Sequence, residues 1–285
     1  MSDIKKIKHI PNIFGDSIGF VENWDFSRAN LSEENRILAI TKVASICYQN
    51  PKALGSESLY NRLMAESMGL PSSSFEFVPI LIPIRTLQLE GETDLYSLNT
   101  IKYGEFIQIE DMKYILTNYR AIVYDVESKK LNESWLEYYN NERECEIIKE
   151  HFKVFLFKVD FPTRSQMVRH RVSWQELSRR YVSAKRVPFE FYVSEKLREN
   201  EKVQELIKQS EDLYFELLEN GVKPQEARRV IPQMAYTQIW GAFMPKQLEN
   251  FYKLRLDEHS QWEIRMVAEA MKSSEDENLN LLELN

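Results

Sequence analysis

Apolar positions recur with a helical period in SEENRILAITKVASICYQN, where Ile37, Ile40, Val43, Ala44 and Cys47 fall on one side and a serine stands three residues before Asn35. This predicts an amphipathic helix opening at Ser32. A second helix is expected over Glu57 to Met68, from Leu59, Leu63, Met64 and Met68, with Gly69 as its C-cap. The period then shortens. Phe77, Val78, Ile80, Ile82 and Ile84 form a β-like run that Pro79 and Pro83 confine to a sheet edge or a bulge.

From about Leu87 to Glu150 the chain is polar and tyrosine-rich, and only MKYILTNYRAIVY reads as a helix packed on the core. FKVFLFKVDF (Phe152 to Phe161) is a continuous apolar strand, and Pro162 is placed to open a helix carrying Gln166 and Arg169. PFEFYV, at Pro188 to Val193, reads as a short strand. Val203, Leu206, Ile207, Ser210, Leu213, Tyr214, Leu217 and Leu218 predict a core helix closed by Gly221. Pro224 opens a helix that presents Arg228 and Arg229 and ends near Pro232. A long last helix is expected from Lys246 to Met271, with Arg255, His259 and Trp262 sharing a stripe with Leu248 and Phe251. The acidic tail SSEDENLNLLELN reads as frayed.

The 285 residues suffice for one large domain or two small ones, and 43% hydrophobic with 28% charged residues is the composition of a soluble globular protein. No apolar run approaches a bilayer span and no signal-peptide core is present, so a cytoplasmic protein is expected. Cys47 and Cys145 are too few for a disulfide framework or a thiolate zinc site, and along the chain neither lies near the most cationic segment. A net charge of −7 argues against a general nucleic-acid binder.

That segment is QMVRHRVSWQELSRRY, Gln166 to Tyr181, which holds Arg169, His170, Arg171, Arg179 and Arg180 among apolar Val168, Val172, Trp174 and Leu177. Like charges at this density repel unless an anion or carboxylates lie among them, and a forked guanidinium suits phosphate or carboxylate. An ordinary basic run is a solvated face; one that is also half apolar points to a cleft with an anionic ligand.

The segment resembles the signature of the flavin-dependent thymidylate synthases, an Arg-His-Arg triplet followed by a serine and an Arg-Tyr pair, here Arg169, His170, Arg171, Ser178, Arg180 and Tyr181. GVKPQEARRVIP, YTQIW and LENFYKLRLDEHSQWEIR continue the likeness, which covers roughly Ala44 to Phe77 and Phe155 to Met271. It implies an α+β fold, a central mostly antiparallel sheet flanked by long helices, in a single domain over 1–285 with an insertion at about 87–150. It also implies conversion of deoxyuridylate (dUMP) to thymidylate with methylenetetrahydrofolate as carbon donor, reduced FAD as hydride donor and NADPH recharging the flavin, in a homotetramer. Gln166, Arg169, Glu176, Ser178, Arg179, Arg180 and Arg228 match nucleotide-holding positions. Arg255 matches the arginine set against the pyrimidine, and so is the catalytic candidate. His170, Arg171 and Asn250 match flavin contacts, as do Ser73 and Glu76.

Departures accompany the match. Leu70 and Phe77 stand near the places of loop histidines, six residues separate Arg171 from Ser178, one fewer than usual, and Met244 and Lys246 occupy flavin-contact positions that are commonly polar or arginine. Glu176 reads equally as a partner neutralising the arginines, Arg229 as a surface residue and His259 as a packed histidine. Two rival readings are another flavin-dependent C5 modification of a pyrimidine nucleotide and a flavin- or nucleotide-binding protein without turnover.

Overall fold

A computed structural model of the protein describes residues 7–11, 17–65, 71–89, 97–276 and 278–283. The strands are β1 (Ile7–Pro11), β2 (Ser17–Asp25), β3 (Pro79–Pro83), β4 (Glu105–Ile109), β5 (Met112–Asn118), β6 (Lys153–Asp160), β7 (Ser173–Glu176), β8 (Tyr236–Phe243) and β9 (Asn278–Asn280). The principal helices are α1 (Glu33–Tyr48), α2 (Glu57–Met64), α3 (Tyr119–Glu127), α4 (Glu142–His151), α5 (Phe161–Met167), α6 (Glu201–Glu219), α7 (Pro245–Arg255) and α8 (Trp262–Ser273).

The main sheet runs β1-β2-β6-β8-β7, antiparallel throughout, with β9 joining β2 in parallel. Because strand side chains alternate, β6 and β8 serve both faces. Phe155, Phe157, Val159, Ile239 and Phe243 pack with Phe251 of α7 and Ile264, Val267 and Met271 of α8. Val154, Trp240 and Ala242 face the other way, toward α1, α2, α3, α4 and the second sheet. That sheet is β3-β5-β4, and its Ile80, Ile82 and Ile115 join the same core as Trp240. The expected α+β fold with a mostly antiparallel central sheet is what the chain forms.

Local chemistry accounts for the elements. The Ser32 side chain accepts from Asn35 N to cap α1, and Asp160 caps α5 by accepting from Thr163 N just before Pro162. β3, with its two prolines, lies at an edge, as expected. Met112–Asn118 is a strand instead of a helix: successive residues from Tyr114 are buried on both faces, so Tyr114, Ile115 and Leu116 make an unbroken apolar run with no strand alternation, and Asn118 then caps α3. Arg169 lies past the end of α5. PFEFYV makes only an isolated bridge, Phe191 to Ala235. The last helix is two helices, because the Asp257 carboxylate accepts from His259 N in the break; His259 is exposed and paired with Asp257, off the Arg255 stripe. The tail is docked, with β9 on β2 and Leu281 buried. On α6 only Ser210 and Tyr214 are buried, so the expected core helix is a half-covered one. Gly69 lies outside the described residues. No described helix is long and apolar enough to cross a membrane.

Candidate functional site

The Arg169–Arg171 turn sits where α5 hands the chain to β7. Trp174 on β7 lies opposite Gly241 of β8, and a Cβ on that glycine would come within 2.5 Å of the indole. The space left by Gly241 lets Trp174 pack edge-on to Phe243, and from there its Nε1 donates to His170 O at 3.0 Å. Packing thus fixes the backbone of the turn.

His170 is buried, its ring 4.6 Å from that of Phe251, and its Nε2 accepts from Arg255 Nε at 2.8 Å. Arg255 Nη2 also donates to Gln166 O at 2.9 Å, and the Gln166 amide donates to Gln261. Gln166, His170 and Arg255 are therefore one cluster. Burial, and then the Arg255 charge, hold His170 below the usual imidazole value, which keeps the ring neutral and able to accept. Arg255 is itself lowered by burial and by the charge of Arg169.

The other matched residues divide by what they touch. Glu176 accepts from Arg164 Nε at 3.0 Å and from Thr237 Oγ1 at 3.0 Å, so it is a pairing residue here, and Arg164 is the partner that the sequence signature does not include. Arg179 is buried, donates to Val187 O at 2.5 Å and Pro188 O at 3.3 Å, and lies over the Phe189 ring. Its guanidinium is engaged by the 187–189 loop. Arg180 is exposed and lies over the ring of Tyr181, which in turn is 5.6 Å from that of Tyr48. Ser178 is half-buried, its N–H directed to Cys47 O. Arg228 is exposed on the turn after Pro224, its Nε on Gln225 O. Arg229 is exposed and paired with Glu226, as a surface residue should be.

Cys47, distant along the chain, meets the cationic segment in space. Ser73 Oγ donates to Gln175 Oε1 at 2.5 Å, Gln175 Nε2 donates to Cys47 Sγ at 2.8 Å, and the thiol donates to Glu176 O at 3.1 Å. Nothing in the spacing of these residues signals that chain of bonds. The Cys145 thiol is buried and pushed up to about 11 by burial and by Glu142, which keeps it protonated and unreactive.

On the other side of the turn lies a cleft of about 670 Å³. Arg171, Val172 and Ser173 form one side, Met244, Lys246 and Gln247 at the start of α7 another, and Glu76 with Arg120, which are ion-paired, a third. The outer wall is Lys102, Tyr103, Glu105 and Phe106, from the segment that sequence reading left without a role. Asn250 is exposed on α7, one turn beyond Lys246. Arg171 thus faces the cleft while His170, its neighbour, faces the buried cluster.

Fold and site together define a mixed α/β protein with a cationic ligand cleft set against a clamped arginine. The profile of the family described as "Thymidylate synthase complementing protein" matches residues 90–276, more than half the chain. Similar curated proteins are flavin-dependent thymidylate synthases. That of Thermotoga neapolitana is 37% identical over 135 residues, covering 43% of this chain and 61% of the relative. Saccharolobus solfataricus gives 37% over 129 residues, 42% and 48%, and Thermosipho melanesiensis 36% over 157 residues, 47% and 67%. The matches thus span about half to two thirds of these relatives' length. The chain belongs to the thymidylate synthase complementing protein family.

Proposed function

We propose that the protein is a flavin-dependent thymidylate synthase that converts deoxyuridylate to thymidylate, with methylenetetrahydrofolate as carbon donor and NADPH as the reductant of a bound FAD. The observation that carries the reading is the two-sided turn: Arg171 borders a large cleft while the adjacent His170 helps clamp Arg255. A flavin in that cleft and a pyrimidine at Arg255 would be neighbours, as hydride transfer between them requires.

The cleft suits FAD on three counts. Its volume falls within the range of small-molecule sites. Arg171 and Lys246 offer positive charge to a pyrophosphate, and Glu76, Arg171 and Lys246, far apart along the chain, meet in it. FAD, once reduced, supplies the hydride that a protein side chain cannot.

Arg255 is the residue proposed for the chemistry. Its Nε and Nη2 are held by His170 and Gln166, which leaves Nη1 to face a carbonyl oxygen of the pyrimidine. Charge developing on that oxygen as C5 becomes nucleophilic is stabilised by a donor already in place. His170 acts as an acceptor that orients this guanidinium. Arg169 and Arg180, both exposed, are the proposed phosphate contacts, with Gln166, Ser178 and Arg228 as further nucleotide-binding residues. Glu176 and Arg179 serve by shaping the loop through their protein partners. Glu76 and Arg171, which line the cleft, are assigned to the flavin, with Ser73 and Asn250 as further flavin-side residues, while His170, matched to a flavin contact by resemblance, serves the Arg255 cluster instead. Assembly is proposed as a homotetramer in the cytoplasm, and 87–150 as an insertion in one domain.

The test is spectroscopic. Protein reconstituted with FAD should be bleached by NADPH, and its flavin absorbance should return under anaerobic conditions only when deoxyuridylate and methylenetetrahydrofolate are both added, with thymidylate formed. A flavin that reduces but is not reoxidised by the pair would contradict the assignment.

A further inference from the structure

We propose that the β4–β5 hairpin and the helical turn before it form a ligand-recognition wall, in which Tyr103 and Phe106 stack on a planar heteroaromatic ring and Lys102 contacts that ligand's anionic tail. The ligand class is a ring with phosphate or carboxylate groups. This deepens the reading of the cleft given above and rests on it.

The wall is a built element. Asp125, fully buried on α3, accepts from Asn99 N at 2.7 Å, Thr100 N at 2.6 Å and Thr100 Oγ1 at 2.6 Å, which anchors the turn Asn99–Lys102. Gly104 then lets the chain pass close to its neighbours: a Cβ there would lie 2.6 Å from Thr100 O and 3.0 Å from Leu116 O. On the far side, Glu105 accepts from Lys246 N at 3.1 Å, which ties the hairpin to the start of α7. Tyr103 stands between those anchors and Phe106 directly follows the second. Both line the cleft, yet they remain 56% and 54% exposed. Large rings held at the mouth of a polar cleft by a buried anchor are exposed apolar surface, approached on Tyr103 by the Lys102 ammonium at 5.5 Å from the ring centre.

Charge points the same way. The carboxylates lining the cleft are already bonded, Glu76 to Arg120 and Glu105 to Lys246 N, whereas Lys102, Arg171 and Lys246 have no ion-pair partner among the described residues. Lys102, Arg171 and Lys246 outnumber Glu105, the one lining carboxylate not in an ion pair among the described residues, and this excess of positive charge beside two exposed rings matches an aromatic anion better than either a purely apolar or a purely ionic ligand. This segment carries no periodic apolar signal because its two rings serve neither core.

FAD, NADPH and methylenetetrahydrofolate all carry this chemistry, and direct titration distinguishes them. Affinities for the three are measured with the wild-type chain, the double variant Tyr103→Ser, Phe106→Ser, and Met112→Ser, which removes an exposed side chain from the same hairpin away from the cleft. Loss of one stacked ring weakens binding about tenfold. The double variant should therefore lose about tenfold or more for one of the three ligands while Met112→Ser binds like wild type, and Lys102→Gln should weaken that same ligand. Wild-type affinity of the double variant for all three overturns the proposal, as does an equal loss in Met112→Ser. A wild-type chain that binds the folate or NADPH through these rings but takes up no FAD supports the wall and overturns the flavin assignment.

Discussion

The arginines around the buried turn and the cations around the cleft differ in what already holds them. Arg255 is fastened to His170 and Gln166, Arg179 to two loop carbonyls, and Arg164 to Glu176. Lys102, Arg171 and Lys246 line open space with no ion-pair partner among the described residues. A cation engaged by the protein arranges other groups; one left facing a cleft awaits an anion. An arginine-rich signature contains both kinds, and only the bonding separates them.

The largest effect is expected at a residue that belongs to both kinds, since Arg255 is clamped through Nε and Nη2 while its Nη1 has no hydrogen-bond partner among the described residues. Arg255→Lys preserves charge but cannot bond His170 and Gln166 while presenting a third donor. FAD should still bind and be reduced by NADPH, while the oxidative half-reaction in stopped flow slows by about 10²-fold. An unchanged oxidative half-reaction would return Arg255 to a purely structural role.

Glu176→Gln sharpens the contrast from the structural side. It removes the charge that holds Arg164, and stability in urea should fall by about 1.5 to 3 kcal/mol. Flavin affinity measured on the folded variant should stay near wild type. A smaller effect is expected from Cys47→Ala with Cys145→Ala, about 1 to 2 kcal/mol in the same assay with turnover retained. Complete loss of turnover in the folded double variant would contradict a hydride mechanism that needs no thiol.

The smallest effect is a titration. Well above pH 6.5 His170 is neutral in both folded and unfolded chains and contributes nothing to the pH dependence of stability. As pH falls below 6.5 the unfolded chain takes up a proton that the folded chain refuses, so stability decreases until the lower folded pKa is passed. NMR of the imidazole should place its midpoint below that of a free histidine, and Arg255→Ala should move it up, because a like charge and a donor to the neutral ring both disappear. A midpoint unmoved by that substitution would mean the two side chains are not bonded in solution.

Much of the frame was legible because local signals carried it. Ser32 and Pro162 marked helix starts, Pro79 and Pro83 an edge strand, and the apolar run from Phe152 the central β6. One signal can support two structures: the buried run Tyr114–Asn118 serves a strand as well as a helix, and it is a strand. The break between α7 and α8 depends on one carboxylate, that of Asp257, turning back onto the backbone. The tail's acids suggested fraying, yet Leu281 finds a buried place and β9 pairs with β2. For the site, residue types marked the cationic segment, and the resemblance suggested roles. Which guanidiniums the protein itself uses was not legible, since the loop carbonyls on Arg179 and the strand threonine on Glu176 are tertiary neighbours without a sequence pattern.

The division between engaged and open cations is tested most directly by one paired titration, FAD affinity and thermal midpoint measured side by side for Arg171→Gln and Arg179→Gln. The account predicts that Arg171→Gln weakens FAD binding about tenfold or more, the loss of one charge-assisted bond, at an unchanged midpoint. Arg179→Gln should lower the midpoint and leave FAD affinity near wild type. An Arg171 variant that binds FAD normally, beside an Arg179 variant that melts normally but loses the flavin, would contradict it.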